Sequence, residues 1–395
     1  MNALRSCAHL GACLIIFIIW PGEALSFGDT KTELPVKTRQ ELASRIVKVD
    51  GLFAAEYKKD HAAGLTAGIV SGRDLVWTKS YGLADVANGR AATTDTAYRI
   101  GSITKQFTAL MLLQLVQEGK VHFSDPVEKL FPEINQVNGR YPGAPPITLI
   151  QLATHHSGLS EEPENVEKFT TGPVRQWEQT LIAALPKLKY ATEPGTHFIY
   201  SNIGYAILGA ALSRAAGVSY TDYIQDHVFK PLGMQHTRFE PDEQMISTLA
   251  KGYVLHDGVA DAKPSAADLK NGRGYKVPNG AVFTTVSDMA RFVAFEMGYG
   301  PEIVLARKAL QESQSEMFWA DDTGTNGYGI ALMLVRKGNI AGLGHGGLVA
   351  GFLSGEYFDP SSHIGIIFLR NAEGHGFEPQ FVVGLLGELE AQHHQ

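Results

Sequence analysis

One helix-forming segment is apolar on nearly every face, and it restricts the fold more than any other feature of the chain. It reads Gly101-Ser102-Ile103-Thr104-Lys105-Gln106-Phe107-Thr108-Ala109-Leu110-Met111-Leu112-Leu113 and runs on to a stop near Gly119, a residue suited to a left-handed helix end. A surface helix keeps a polar face. This one must be covered all round, so the pattern predicts a central helix that other elements wrap. At its head, Ser102 and Lys105 stand three residues apart, which places both side chains on one helix face. A serine is a weak nucleophile until a neighbour takes its proton. A lysine can do so only when burial or other positive charge lowers its pKa. The pair is a candidate acyl-transfer centre, but a chain of this length holds about one such pair by chance. Its meaning rests on what accompanies it.

The wrapping elements can be read in outline. Helical spacing runs from about Thr38 to His61. Two strands follow, Leu65 to Val70 and Leu75 to Tyr81, joined by the turn Ser71-Gly72-Arg73-Asp74. From the central helix to about residue 300 the pattern is helices and loops. Thr148 is placed to cap Leu149 to Thr154, and Asn202 to Ala216, Tyr220 to Phe229 and Ser287 to Glu296 have helical spacing. Residues 256–280 read as a long loop. Strands return at Gly329 to Val335, Leu353 to Phe358 and Ile364 to Leu369, before a last helix from about Glu378 to Glu390. Strands at both ends with helices between predict an α/β (α+β) fold. Its mixed lobe would come from about 37–100 and 300–395, with a helical lobe, about 101–299, inserted between.

The first residues differ from the rest. Arg5 precedes the apolar run Leu10 to Trp20, and Pro21, Gly22 and small residues lead to Ser26. This is the pattern of a secretory signal peptide over 1–26, too short to span a bilayer comfortably. An uncleaved N-terminal anchor and a lipoprotein signal at Cys13 are the alternatives. Export predicts a periplasmic or secreted protein with no stable membrane span after signal removal. The only cysteines, Cys7 and Cys13, fall in this segment, so the mature domain, 27–395, would have no disulfide or cysteine-held metal. A net charge of −7 without a basic block argues against a nucleic-acid partner.

Two further motifs give the Ser102 pair its context. Tyr200-Ser201-Asn202 precedes an apolar helix. A tyrosine beside a cation can act as a base or proton relay, and the Asn202 amide can orient a substrate. Taken alone, Tyr200 reads as a core aromatic and Asn202 as a helix cap. His345-Gly346-Gly347 stands just before a late strand, where paired glycines let a substrate approach the backbone closely. His156-Ser157-Gly158 and His256-Asp257-Gly258 share the His-x-Gly spacing but not that setting.

In this order the three motifs resemble those of serine hydrolases of the class C β-lactamase and DD-carboxypeptidase type. Tyr98-Arg99-Ile100-Gly101, Leu152 to Leu159, Pro194-Gly195-Thr196 and Pro231-Leu232-Gly233-Met234 are similar to accessory segments of that family. The resemblance implies a β-lactamase/transpeptidase-like fold, an antiparallel sheet flanked by helices, and chemistry through an acyl-enzyme. Carried over residue by residue, it implies Ser102 as nucleophile, with Lys105 and Tyr200 sharing its proton; which of them is the base stays open. Asn202, His345, Gly346 and Gly347 would bind substrate, and the N–H groups of Ser102 and Leu348 would form an oxyanion hole. The implied substrate is a small molecule or peptide, including D-amino peptides of the peptidoglycan type, and the implied activity is that of a carboxypeptidase, D-aminopeptidase or esterase. A true class C-like β-lactamase and a penicillin-recognising protein without turnover are the alternatives. Two departures bear on substrate: His345 stands where class C β-lactamases have lysine, and Pro278-Asn279-Gly280-Ala281 replaces a more usual Ala-Gly-Gly. No Gly-x-Ser-x-Gly and no His-Glu-x-x-His occurs, so neither a nucleophile elbow nor zinc chemistry has support, and no cofactor is called for.

Overall fold

The computed structural model describes residues 36–390, except 61, 257–258, 263–271, 316–317, 320–325 and 375. The segment 1–26 read as a signal peptide, both cysteines and the residues after 390 lie outside the described residues. The helix α1, Val36–Asp60, leads into strands β1 (Gly64–Ser71), β2 (Asp74–Asp85), β3 (Arg90–Ala91) and β4 (Tyr98–Arg99). The central helix α2 spans Thr104–Gln117. The mainly helical middle of the chain also carries the short strands β5 (Tyr253–His256), β6 (Val259–Ala262) and β7 (Phe283–Thr284). After it come β8 (Phe318–Trp319), β9 (Asn326–Tyr328), β10 (Met333–Lys337), β11 (Ile340–Val349), β12 (Phe352–Asp359), β13 (Ile364–Arg370) and β14 (Ala372–Glu373), then a helix over Pro379–Glu390.

Nine strands form one sheet in the order β3-β2-β1-β13-β12-β11-β10-β9-β8, with every neighbouring pair antiparallel. Its middle joins the two ends of the chain, since Leu65 faces Arg370 and Ser71 faces Ile364. The side-chain period of two divides β13 between two cores. Ile364, Ile366 and Phe368 pack with Val49 and Phe53 of α1 and with Val382 and Leu386 of the last helix. Ile367 and Leu369 face the opposite way and join the core that surrounds α2. On that helix every residue from Thr104 to Leu115 is buried, as its all-round apolar character requires.

Three expectations are corrected. Gly329 to Val335 is not one strand: the Gly329 N–H donates to Leu332 O across a turn at 2.7 Å, and Ala331 has φ +58°, separating β9 from β10. The motif His345-Gly346-Gly347 lies inside β11, not before a strand. The segment 256–280 is not wholly loop, because β6 pairs with β5 and 277–280 is a helical turn. The helix over Asn202–Ala216 falls where its spacing predicts, ended by Gly217 at φ +73°.

Candidate active site

Ser102 enters α2 through a tight 3₁₀ turn, Gly101–Ile103. Gly101 takes φ +51°, a conformation that strains any residue with a Cβ. The next helical turn carries Lys105 inward, and its side chain is fully buried. Nζ reaches three oxygens: Ser102 Oγ at 2.9 Å, Asn202 Oδ1 at 2.8 Å and the Asn279 carbonyl at 3.2 Å. It also lies 4.7 Å from the centre of the Tyr200 ring. Loss of hydration lowers the Lys105 pKa well below the usual lysine value, and the nearby positive charge of Lys276 lowers it further.

Tyr200 and Asn202 are delivered by the start of the Asn202–Ala216 helix. Ser201 caps that helix, its hydroxyl accepting the Gly204 N–H, so Asn202 is free of the capping role. The turn is fixed from behind by His155, which is fully buried at φ +60° and accepts the Ser201 N–H on Nδ1 at 3.0 Å. The His155 ring lies 4.3 Å from that of Tyr200. Burial raises the Tyr200 pKa above the ordinary tyrosine value, while a hydrogen bond with Ser102 works against the rise. The Asn202 amide is held at both ends: Oδ1 accepts from Lys105, and Nδ2 donates to Glu162 Oε1 at 2.9 Å and Glu161 Oε1 at 3.4 Å. Asn279, in the segment that departs from the family pattern, donates from Nδ2 to the Asn202 carbonyl at 2.8 Å.

The third motif approaches from the sheet. A Cβ placed on Gly347 would stand 1.9 Å from the Ile100 carbonyl, and one on Gly101 would stand 2.9 Å from the Leu348 nitrogen. Glycine at both positions lets β11 pass directly against the turn that carries Ser102, with the Leu348 N–H beside it. His345 is buried, not open as a substrate contact would require. It is 2% exposed, with Nδ1 donating to the Gly346 carbonyl at 2.5 Å and Nε2 receiving the Tyr328 hydroxyl at 3.0 Å. Both ring nitrogens are spent inside the protein. Burial, aided by the charge of Lys105, lowers the His345 pKa to about 3, so the ring is neutral at physiological pH.

The structure therefore brings Ser102, Lys105, Tyr200, Asn202, Gly347 and Leu348 to one locus, with the buried His345 ring close enough to feel the charge of Lys105. Sequence reasoning passed over Tyr328, Glu161, Glu162 and Lys276, whose positions carry no motif. His155 stood in a segment noted for its likeness to a family signature, and Asn279 in one noted as a departure from the family pattern; neither residue was singled out. Among the described residues, no group of three or more His, Cys, Asp or Glu is arranged to hold a metal ion.

A sequence profile of the family described as Beta-lactamase matches residues 49–382. "Beta-lactamase-like protein 2" of Dictyostelium discoideum is 31% identical over 300 residues, 74% of this chain and 53% of that protein. "Protein flp" of Staphylococcus aureus strain MW2 is 27% identical over 350 residues, 87% of this chain and 66% of its own length. The chain thus spans about half to two thirds of the length of these curated relatives. Among solved structures, the octameric penicillin-binding protein homologue from Pyrococcus abyssi superposes with a TM-score of 0.72. It is 27% identical, over 87% of this chain and 77% of that one. A class C beta-lactamase matches with a TM-score of 0.72 at 20% identity, over 92% and 99% of the two chains, a likeness of fold.

Proposed function

The chain belongs to the Beta-lactamase family, and from that premise we propose that it is an exported serine hydrolase that cleaves amide or ester bonds through an acyl-enzyme. The observation that carries this reading is the surroundings of Lys105 Nζ. Two of its three neighbours, Asn202 Oδ1 and the Asn279 carbonyl, are amide oxygens, which accept hydrogen bonds and cannot donate them. A neutral amine gives its two hydrogens to these oxygens. Its lone pair then faces the third neighbour, Ser102 Oγ, at 2.9 Å. The depressed Lys105 pKa favours that neutral amine.

On this reading Lys105 takes the Ser102 proton as Oγ attacks the substrate carbonyl. Tyr200, kept protonated by burial, relays a proton to the leaving group through its hydroxyl. Water then attacks the acyl-enzyme and the same groups return the proton to Ser102. The N–H groups of Ser102 and Leu348 stabilise the developing oxyanion, each worth roughly 3–4 kcal/mol in such sites. The backbone from Gly346 to Leu348 and the Asn202 amide orient the substrate.

The neutral, fully engaged His345 offers no cation to a substrate carboxylate. That favours uncharged esters and amides over lactams and peptides ending in D-Ala-D-Ala. Export is supported by the apolar pattern of residues 10–26. Among the described residues no helix is long and apolar enough to cross a membrane. The test is a substrate panel of short esters, D-amino acid amides, D-Ala-D-Ala peptides and a cephalosporin, read beside fluorophosphonate labelling. Ser102→Ala is expected to lose both turnover and labelling; undiminished turnover in that variant overturns the assignment. Labelling without product release in the parent protein would instead favour the non-turnover reading.

A further inference from the structure

Behind Lys105 the Asn202 amide is tied to an ion pair, Glu162–Lys276, that the hydrolytic mechanism does not use. Asn202 Oδ1 accepts from Lys105 at 2.8 Å, Asn202 Nδ2 donates to Glu162 Oε1 at 2.9 Å, and the same oxygen accepts from Lys276 Nζ at 2.6 Å. The Glu162–Lys276 pair is largely sheltered, its side chains 24% and 21% exposed, so solvent screens it less than a surface pair. An amide held by an acceptor on one side and a donor on the other cannot flip without losing both bonds. Glu162 thus fixes which end of Asn202 meets Lys105, and Lys276 fixes Glu162.

We propose that the Glu162–Lys276 ion pair is a positioning device for Lys105, acting through Asn202 and setting the pH range over which the serine centre works. The inference rests on the reading of Lys105 as the base. Among the described residues, the other charged or titratable groups facing Lys105 are Tyr200 and Tyr205 from the Asn202 helix and the turn before it, His155 from the preceding loop, His345 from β11, and Glu161 beside Glu162. His155 and His345 have depressed pKa values and the tyrosines raised ones. These four stay neutral across the working range, so Glu161, Glu162 and Lys276 supply the local charge. Lys276 opposes a proton on Lys105, and the two glutamates favour it.

The pair therefore makes predictions of opposite sign. In Glu162→Gln the positive charge of Lys276 is left uncompensated, so Lys105 loses its proton more readily. The acid limb of the kcat/KM profile then moves to lower pH, by about half a unit or more. In Lys276→Met the carboxylate is left uncompensated, and the limb moves to higher pH by a similar amount. The double variant returns it near the parent position, and Lys276→Arg, which keeps the charge, leaves it close to the parent.

The measurement is the pH dependence of fluorophosphonate labelling and ester turnover in the full chain, with melting temperature recorded for each variant. Opposite shifts with recovery in the double variant support the proposal. Shifts in the same direction, or an unmoved limb in folded single variants, overturn it. Failure of the parent protein to label at Ser102 would instead strike the underlying hydrolase reading, so the two failures are distinct.

Discussion

The hydroxyl of Ser354 donates to the carbonyl of Ile100 at 2.9 Å, fastening β12 to the residue two places before Ser102. A longer contact, 3.3 Å, ties the same hydroxyl to the Gly347 carbonyl. One buried side chain on a strand thus holds the Ser102 turn and β11 together. In Ser354→Ala, loss of a buried hydrogen bond is expected to cost about 1 kcal/mol of stability. Looser placement of the Leu348 N–H should lower kcat/KM about tenfold. Urea unfolding and steady-state ester hydrolysis measure the two effects, and an unaltered kcat/KM would refute the fastening role.

Gly347→Ala asks for more. Its new Cβ would overlap the Ile100 carbonyl, a backbone atom that cannot swing aside, so β11 must back away from the serine turn. Turnover should fall by about 10²–10³, the loss expected when one oxyanion donor is removed. In Gly346→Ala the nearest atom to the new Cβ is the Tyr357 hydroxyl at 3.6 Å, an ordinary contact, and the loss should be much smaller. Equal losses in the two variants would count against the close-approach argument.

Lys105 works at a cost to the fold. Its pKa is lowered on folding, so between the folded value and the usual 10.5 the unfolded chain holds a proton that the folded chain has released. Stability linked to this group therefore rises with pH through that window and is lowest below it. Lys105→Met, of similar length and apolar, should melt higher than the parent, with a gap that is widest at low pH and narrows toward alkaline pH. Hydrolysis should drop by about 10³ or more. A variant that melts lower across the range would contradict the assignment.

Glu356 has the opposite sign. It is completely buried on β12, and burial raises its pKa well above the usual 4.5, with Glu296 nearby adding to the rise. Its folded form keeps a proton that the unfolded chain gives up. The associated stability is fully present below about pH 4.5 and is lost as pH rises through the folded value. Glu356→Gln should remove that decline, so its melting temperature should exceed the parent's most clearly at neutral and alkaline pH. Parallel pH profiles for the two proteins would argue against a protonated Glu356.

Much of this site is written locally. The α2 segment has no polar face, so its central burial follows from composition alone, and Tyr200-Ser201-Asn202 is set by a capping serine whose role is local. What escaped reading depends on distant partners. Strand β11 holds Gly342, Gly344, Gly346 and Gly347, residues with little strand preference of their own, and it is a strand because β10 and β12 flank it. Glu162 and Lys276 are 114 residues apart in stretches that otherwise look like solvated loop. The same holds for His345: its place in the chain suggests a substrate contact, and only Tyr328 shows that the ring is already committed.

Ser102 is made long before β11, the strand that packs against its turn, and before β13, which joins β1 at the middle of the sheet. Ser102 leaves the ribosome ahead of Gly347 and Leu348 by most of the length of the protein, and loop closure over such a span makes the pairing slow. A nascent or prematurely ended chain therefore carries the serine and its lysine without the wall that turns an attack into a reaction. On the proposed hydrolase reading, a chain that ends before β11 is expected to be inert instead of partly active.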